Sequence, residues 1–306
     1  MPAADVDVTP ELVRRLLAGQ HPDLAGLPVE FMANGWDNAM FRVGDELLAR
    51  LPRREVAAAI LLNEQRWLPV LAPDLQLPVP APERTGVPAY GYPYAWSLVP
   101  YLPGEPAADD DSLDREGAAA DVGGFLGSLH APAPPEAPAN PFRGVPLADR
   151  AESFEANLRL VADRVNAGAA RRVWAGALAA PVHVGPPLWL HGDLHPANIL
   201  VRDGRVSGVI DFGDITSGDP ATDLAVAWML LPLEQHAAFR AAYRSARPGR
   251  AGSLDPADWT ALWTRARGWA LSLATVFLAH SDDNPQLMTV ARRTLERVLG
   301  GAFPLS

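Results

Sequence analysis

Residues 188–225 read LWLHGDLHPANILVRDGRVSGVIDFGDITSGDPATDLA, and they are the most informative part of the sequence. Near its middle, Asp203-Gly204 separates two runs rich in β-forming residues, which is typical of a two-residue hairpin turn. Pairing outward from that turn places Asn198 and Asp211 at the open end of one hairpin. The register puts Arg202 opposite Arg205, Leu200 opposite Ser207, Asn198 opposite Val209 and Pro196 opposite Asp211.

The polar side chains at this open end have a chemical use. The amide oxygen of Asn198 and the carboxylate of Asp211 are ligands of the kind that Mg²⁺ takes, with water or phosphate in its other positions. Asp193 precedes them in the loop that enters the hairpin, where a carboxylate can accept a proton from an attacking hydroxyl. Taken singly, Asp211 also suits a strand-end turn and Asn198 a turn cap, so the assignment depends on the joint pattern.

The order of these residues resembles a known family. The motif H-G-D-x-x-x-x-N at 191–198, followed by I-D-F-G at 210–213, resembles the catalytic loop and metal-binding motif of the kinase fold. The closer likeness is to the aminoglycoside phosphotransferase family, over about residues 25–290.

The resemblance assigns roles within this loop. It implies that Asp193 is the catalytic base or the residue that positions the acceptor hydroxyl, and that His191 supports the catalytic loop by hydrogen bonding. The resemblance also implies that Asn198 and Asp211 are the magnesium ligands. His195 has no role in this likeness, and a structural or surface position is expected for it.

The end of the quoted stretch predicts a helix start, with Asp219 as N-cap and Pro220 at the first helical position. Asp223 then falls in the first turn, where the helix dipole favours an acid. In the family likeness Asp223 braces the catalytic loop, and structural support is expected of both aspartates. No Ala-Pro-Glu motif follows Asp211, although protein kinases end a longer, peptide-binding segment with it, so a small-molecule acceptor is favoured.

The N-terminal third alternates short strands and helices. Thr9 and Pro10 suit an N-cap and a first helical position, and predict a helix over 8–18. The other predicted elements are strands at 29–33, 39–43 and 46–51, a helix at 54–71, and extended segments near 86–90 and 94–100. Together they predict a small antiparallel sheet with one packed helix.

A break rich in Pro, Gly and Asp at 101–111 separates this part from a mainly helical remainder, in which 131–141 is a Pro/Ala-rich loop. Helices are predicted at 112–130, 147–165, 167–180, 220–231, 233–246, 255–280 and 285–300. The fold class is therefore α+β, and the resemblance implies a bilobal protein-kinase-like fold. Residues 1–100 would form the nucleotide-binding lobe, with a hinge at about 97–103, and 101–306 the helical lobe with the catalytic loop, metal site and acceptor pocket.

Glu64 lies on the apolar face of the helix at 54–71, where a carboxylate needs a partner. In the kinase scheme that partner is a lysine which also holds the α- and β-phosphates, but all 26 basic residues of this chain are arginine. The matching position is Arg50, whose planar guanidinium can bridge Glu64 and phosphate without being equivalent to an ammonium. Nucleotide-binding roles are expected for both, with an exposed strand residue as the alternative for Arg50.

A loop at 34–38 is expected to contact the phosphates. Backbone groups and amide side chains of Asn34, Gly35 and Asn38 could reach phosphate oxygens, although an ordinary hairpin turn is the alternative. The carboxylate of Asp37 would repel phosphate, so it is expected to point outward.

The hinge is expected to contact the base of ATP or GTP. By the family likeness, backbone groups from Leu98 to Tyr101 serve this purpose, while Pro100 removes one donor.

Composition limits the possible partners. The net charge of −10 argues against nucleic acid, and the absence of cysteine excludes disulfides and thiol nucleophiles. The N-terminus lacks a signal-peptide pattern, and the apolar run at 271–279 is too short to span a bilayer, so a cytoplasmic protein with no membrane partner is expected. The oligomeric state stays open.

Three functions compete. The first is a kinase that phosphorylates a hydroxyl of an antibiotic (aminoglycoside, macrolide or nucleoside type), giving resistance or self-protection. The second is a metabolic kinase of the same fold acting on an amino-alcohol, homoserine or a sugar, and the third is a weakly active nucleotide-binding protein. The helices over 233–300 are expected to form the acceptor pocket. Trp263 and Trp269, which follow helical spacing, are expected to pack in the core and not to line that pocket.

Overall fold

The computed structural model describes residues 3–108, 110, 112–247 and 255–300. The chain forms two compact units. The first contains the residues up to Pro73 together with Pro78–Pro103 and Asp211–Gly213, and the second contains Asp74–Leu77, Gly104–Ile210 and the residues from Asp214 onward. The first unit is built on a sheet and the second is mainly helical, as the predicted α+β class requires.

The first unit has a five-stranded antiparallel sheet in the order β1-β2-β3-β5-β4. Its elements are α1 (Pro10–Gln20), β1 (Val29–Asn34), β2 (Asn38–Val43), β3 (Leu47–Pro52), α2 (Glu55–Leu71), β4 (Arg84–Gly86) and β5 (Trp96–Pro100). The side chain of Thr9 caps α1 by accepting from the backbone N–H of Leu12 at 3.3 Å, as predicted.

A buried cluster between α1 and the sheet forms the core of this unit. Helix α1 contributes Val13, Leu16 and Leu17, which follow helical spacing. Alternate residues of the central strands, Phe41 and Val43 among them, face the same cluster. Burying each such side chain contributes about 2 kcal/mol, so this cluster holds the strands that carry the candidate site residues.

The extended segment predicted near 86–90 is wrong beyond Gly86. Its backbone leaves the sheet there, and Val87 instead exchanges hydrogen bonds with the side chain of Gln20, at 2.8 and 2.9 Å. Tyr90 has φ 54° and Gly91 φ 85°, so the chain turns sharply before β5.

The second unit contains eight helices and five short strands among the described residues. The helices are α3 (Arg115–Leu129), α4 (Ala151–Leu160), α5 (Ala167–Ala179), α6 (Ala221–Leu224), α7 (Val226–Leu230), α8 (His236–Ala246), α9 (Pro256–His280) and α10 (Pro285–Gly300). The strands are β6 (Glu105–Pro106), β7 (Leu188–Leu190), β8 (Ile199–Arg202), β9 (Arg205–Val209) and β10 (Thr216–Gly218).

Four predicted helices of the second unit differ in their bounds by more than one residue. The helix at 233–246 is a 3₁₀ turn followed by α8. The helix at 112–130 begins only at Arg115, because Asp114 caps it by accepting from the backbone N–H of Glu116. The helix at 147–165 is a 3₁₀ turn followed by α4. The helix at 220–231 divides into α6 and α7, because Trp228 N–H bonds to Ala225 O three residues back instead of continuing the four-residue pattern.

Helices α3 and α8 pack closely through glycine. A side-chain carbon at Gly123 would lie 2.5 Å from the carbonyl oxygen of Phe239, and one at Gly127 would lie 2.6 Å from that of Tyr243. The absence of side chains at these positions lets the two backbones approach. This packing fixes the end of α3, where His130 bonds to Tyr243 and reaches the candidate site.

We expect the buried His236 to make the fold less stable at acid pH. Burial, and then the neighbouring Arg240, lower the pKa of His236 to about 4. Because the unfolded chain takes up this proton near the ordinary value of about 6.5, stability is full above that pH and falls as pH drops toward 4, by about 3 kcal/mol in total. Urea unfolding of wild type and His236→Gln at pH 7 and pH 4.5 should show a smaller loss in the variant, and an equal loss would contradict this assignment.

Candidate active site

The β8–β9 hairpin has the predicted turn, but its strand register differs from the predicted one. Asp203 and Gly204 both adopt positive φ, 52° and 75°, as a type I′ turn requires. Arg202 lies opposite Arg205 as predicted, but the pairing of Leu200 with Ser207 and of Asn198 with Val209 is wrong. A bulge shifts the register by one residue, so the pairs are Val201–Val206, Leu200–Gly208 and Ile199–Val209.

The bulge brings Asn198 next to Ile210 in the ladder, where the backbone N–H of Ile210 donates to Asn198 O at 2.9 Å. Asp211 is the next residue along the chain. The predicted pairing of Pro196 with Asp211 is not formed, because Pro196–Asn198 is a short 3₁₀ turn before β8.

The orientation of Asn198 suits a metal ligand. Its side-chain Nδ2 donates to the carbonyl oxygen of Asp193 at 3.0 Å, which fixes the amide and leaves Oδ1 without a donor among the described residues. The side chain is buried, so this oxygen is held in place. An anchored amide oxygen fits Mg²⁺, which takes oxygen ligands.

A buried carboxylate holds the start of the catalytic loop. Asp223 accepts the backbone N–H groups of His191 at 2.7 Å and Gly192 at 2.9 Å, and its Oδ2 lies 3.2 Å from His130 Nε2. Gly192 adopts φ 88°, and a side-chain carbon there would lie 2.2 Å from Asp214 O, so only glycine suits the turn. The structural support expected of Asp223 is observed.

His191 links the two ends of the loop. Its Nδ1 accepts the backbone N–H of Asp193 at 3.2 Å, so Nε2 carries the proton and donates to Ile210 O at 3.0 Å. The imidazole therefore ties the residue before Asp211 to the residue proposed as base. It is a positioning residue in this geometry.

Asp193 lies between two donors that sequence reasoning did not assign. Arg143 Nη2 donates to Oδ1 at 2.8 Å, and His195 Nε2 lies 3.5 Å from Oδ2. Burial acts to raise the pKa of Asp193, but Arg143 and then His195 outweigh it and hold the pKa well below its ordinary value. Asp193 is therefore a carboxylate at neutral pH.

His195 is buried, so of the two positions expected for it the surface one is wrong, and its ring packs edge-on against Phe277. Arg143 lies in a loop without helix or strand periodicity, and no spacing in the sequence connects it to Asp193. Only the folded chain brings the two together.

Asp219 makes the capping contact expected of it at the start of the short helix α6. It accepts from the backbone N–H of Ala221 at 3.0 Å, and it is also held in a buried ion pair by Arg265, whose Nε lies 2.7 Å from Oδ2. The pair joins the start of α6 to α9, as expected of a structural aspartate.

In the first unit, Arg50 on β3 and Glu64 on α2 form the predicted ion pair. Both guanidinium nitrogens donate to the carboxylate, Nη2 to Oε1 at 3.1 Å and Nη1 to Oε2. Both side chains are buried, so the exposed-strand alternative for Arg50 is wrong. Burial acts to lower the pKa of Arg50, but Glu64 and then Asp211 outweigh it and raise the pKa, so the guanidinium stays charged between two carboxylates.

The loop at 34–38 closes as a hairpin turn. The backbone N–H of Gly35 donates to Asn38 O at 2.8 Å, so that group is already used within the turn. Asp37 does not simply point outward, because it pairs with Arg54 at 2.5 Å. This pairing offsets the charge that would repel phosphate. Asn34 has an exposed side chain. Phosphate binding by Asn34 and by Asn38 stays a prediction.

The segment from Leu98 to Tyr101 has part of its backbone committed. Leu98 O accepts from Glu83 N at 2.9 Å, and Tyr101 N donates to Glu46 O at 2.7 Å. These two groups are therefore engaged in the sheet and in the strand connection. Base recognition by this segment stays a prediction that depends on its other backbone groups.

The C-terminal helices contribute to the core and line one cavity, and their role in acceptor binding stays a prediction. Trp263 and Trp269 are buried as expected, and Asp255 caps α9 by accepting from the backbone N–H of Ala257 at 2.8 Å. A cavity of about 200 Å³ lies beside α9, between Val182, Leu188, Pro220 and Arg265 and their neighbours. None of the residues that line it belongs to the catalytic loop.

No described helix is both long enough and apolar enough to cross a membrane. This finding concerns helices alone.

Comparisons with known proteins show the family and the fold of the chain. The model of the APH family, described as the phosphotransferase enzyme family, matches residues 28–262. The chain is similar in fold to an aminoglycoside 2′-phosphotransferase-IIIa solved with GDP, with a TM-score of 0.62 and 19% identity over 96% of this chain and 99% of that one. The protein-kinase-like fold class is confirmed.

Two further similar proteins are a macrolide phosphotransferase and a homoserine kinase. A macrolide 2′-phosphotransferase from Brachybacterium faecium aligns with a TM-score of 0.59 and 22% identity, over 93% of this chain and 97% of that one. A homoserine kinase from Methylocella silvestris is 39% identical over 93 residues. That match covers 28% of this chain and 27% of the relative, so the two share about a quarter of their lengths.

Proposed function

Because the chain belongs to the APH phosphotransferase enzyme family, we propose that it is a kinase that moves the γ-phosphate of ATP or GTP onto a hydroxyl of a small molecule, with Mg²⁺ as cofactor. The observation that carries this proposal is the catalytic loop held by Asp223, which presents the ionised Asp193 beside the anchored amide of Asn198. A loop fixed in this way suits catalysis by positioning and electrostatics.

Each residue of the site has a role in this proposal. Asp193 accepts the hydrogen bond of the acceptor hydroxyl and orients its oxygen toward the γ-phosphorus. A bond forms between that oxygen and phosphorus as the bond to the β–γ bridging oxygen breaks, and the hydroxyl proton leaves through Asp193 to solvent. Asn198 and Asp211 would hold Mg²⁺, which offsets the charge of the phosphates when bound.

Arg50 completes the donor side. Held by Glu64, its guanidinium would neutralise charge on the phosphates, as the lysine of the kinase scheme does. Asp193, Asn198 and Asp211 are all present, which argues against the weakly active nucleotide-binding protein, because a chain that had lost catalysis would be expected to lose at least one of them. His191 keeps the loop in place without contacting the acceptor.

Two acceptor classes are supported by different relatives. Antibiotics, with resistance or self-protection as the outcome, are supported by the aminoglycoside and macrolide phosphotransferases of similar fold. A metabolic hydroxyl compound is supported by the segment shared with a homoserine kinase.

A transfer assay tests the proposal. Purified protein with Mg²⁺ and ATP or GTP would be incubated with aminoglycosides, macrolides, nucleoside antibiotics, homoserine, choline and sugars, and products would be identified by mass. An acceptor heavier by one phosphate, formed only with Mg²⁺, is the expected result. A complete absence of transfer together with an absence of nucleotide binding would contradict the proposal.

Arg50→Lys tests whether the donor site is built around arginine. A lysine ammonium cannot reproduce the two-pronged contact with Glu64, so we expect nucleotide affinity to fall about tenfold, with a smaller change in kcat. Titration calorimetry with ATP measures the affinity, and Arg84→Lys, an exposed position, serves as control. Tighter binding by Arg50→Lys would show that arginine is only tolerated here.

A further inference from the structure

The carboxylate proposed as base already has a cationic partner. Arg143 Nη2 donates to Asp193 Oδ1 at 2.8 Å, with side chains that are 19% and 26% exposed. Arg143 has four further N–H donors, and its Nε is buried without a hydrogen-bond partner among the described residues. Only one of its five donors is used by Asp193 and the side chain is partly exposed, so the guanidinium keeps donors that can bond to another anionic group.

A second guanidinium, that of Arg150, contacts the residue that precedes Arg143. Arg150 stacks over the ring of Phe142, 5.3 Å from its centroid, and donates only to the hydroxyl of Ser153, at 3.3 Å. No described carboxylate forms an ion pair with it. Burial, and then repulsion by Arg143, lower the pKa of Arg150, so the two positive charges act on each other without a described carboxylate to offset that of Arg150.

This arrangement sets a condition on the acceptor. The acceptor hydroxyl must hydrogen-bond to Asp193, but Arg143 competes for Oδ1. An acceptor with its own carboxylate offers the guanidinium a replacement partner in the bidentate geometry that arginine favours. An ammonium group at the same place would be repelled by both arginines.

We propose that Arg143 is a specificity-determining residue that selects a hydroxy acid as acceptor, with its carboxylate on Arg143 and its hydroxyl on Asp193. This inference rests on the proposed kinase function and narrows its acceptor class. The positive charge of Arg150 adds to the attraction for an acceptor carboxylate. Transfer itself is unchanged: the O–P bond forms at the acceptor hydroxyl, the β–γ bridge breaks, and the acceptor carboxylate stays ionised throughout.

Matched acceptors that differ only in charge test the proposal. The pairs are 4-hydroxybutanoate with 4-hydroxybutanamide and L-homoserine with L-homoserinamide, with kanamycin as a polycation. Wild type should phosphorylate at least one acid, with a kcat/KM about 10- to 100-fold above that of its amide.

The variant Arg143→Gln should remove this preference. We expect KM for the acid to rise about 10- to 100-fold, while kcat for the matching amide stays level or increases because Asp193 Oδ1 is released. Arg143→Lys should restore part of the preference, and Arg205→Gln, whose side chain is 62% exposed, should change neither value. A merely structural role for Arg143 would lower both activities together.

The outcomes separate this inference from the kinase proposal. Phosphorylation of an amide or of kanamycin without preference for any acid would overturn the role of Arg143 and leave the kinase standing. A panel in which no acid is phosphorylated also overturns it. Nucleotide binding measured in the same samples shows whether the kinase proposal itself has failed.

Discussion

Asp193→Asn should lower kcat for phosphate transfer about 1,000-fold while leaving the Kd for nucleotide within about a factor of two. The amide has the same size and still bonds to its neighbours, but it cannot accept the hydroxyl proton. It also removes the negative charge that Arg143 and His195 hold in place. Single-turnover transfer measures the chemical step, and calorimetry measures nucleotide binding.

The matched control for this experiment is Asp163→Asn, at an exposed position after α4. It makes the same chemical change and should leave kcat unchanged. If Asp193→Asn kept turnover within tenfold of wild type, Asp193 would be neither the base nor the residue that positions the hydroxyl.

Asp223→Ala should produce the largest loss of stability among the site variants. It removes the acceptor of two backbone N–H groups and of His130 in a fully buried place. Leaving those donors unpaired costs about 3–5 kcal/mol, and the thermal midpoint should fall by about 10 °C. Because the same bonds hold Gly192 in its strained turn, kcat should fall even where the variant is folded.

Asp121→Ala is the control for stability, since its pair with Arg205 is partly exposed and should contribute less than about 1 kcal/mol. Asp223→Asn should lie between the two, because its single oxygen can keep only part of the contacts. A midpoint for Asp223→Ala equal to that of Asp121→Ala would show that the loop is held by other groups.

The fold and the family were predictable because their signals are local. Asp203-Gly204 specifies its turn through residue type alone, and Thr9-Pro10 does the same for the start of α1. The motif at 191–198 is compact enough to read by spacing, and the resemblance that it carried is confirmed by the match of the family model over 28–262. Local pattern was sufficient at these places.

The bulge in the β8–β9 hairpin was not predictable from the turn. Pairing outward from Gly204 assumes a regular ladder, and one extra residue at Ser207 changes every pair beyond it. The consequence reaches the site, because the bulge decides that Asn198 bonds to Ile210.

Contacts between distant segments also could not be predicted from the sequence. His130 ends α3, yet it contacts Asp223 from far along the chain, and Arg143 reaches Asp193 from a loop without periodicity. Neither residue type is informative alone. The Arg50–Glu64 pair could be predicted only because the kinase scheme specifies both positions.

The most direct test of the central claim follows the terminal phosphate itself. Wild type and Asp193→Asn would each be incubated with Mg²⁺ and ATP or GTP labelled in the γ-phosphate, with the acceptor panel, and the label would be traced. We expect wild type to place the label on an organic hydroxyl and Asp193→Asn not to do so, although both bind nucleotide. Label released only as inorganic phosphate, or equal transfer by the two proteins, would contradict it.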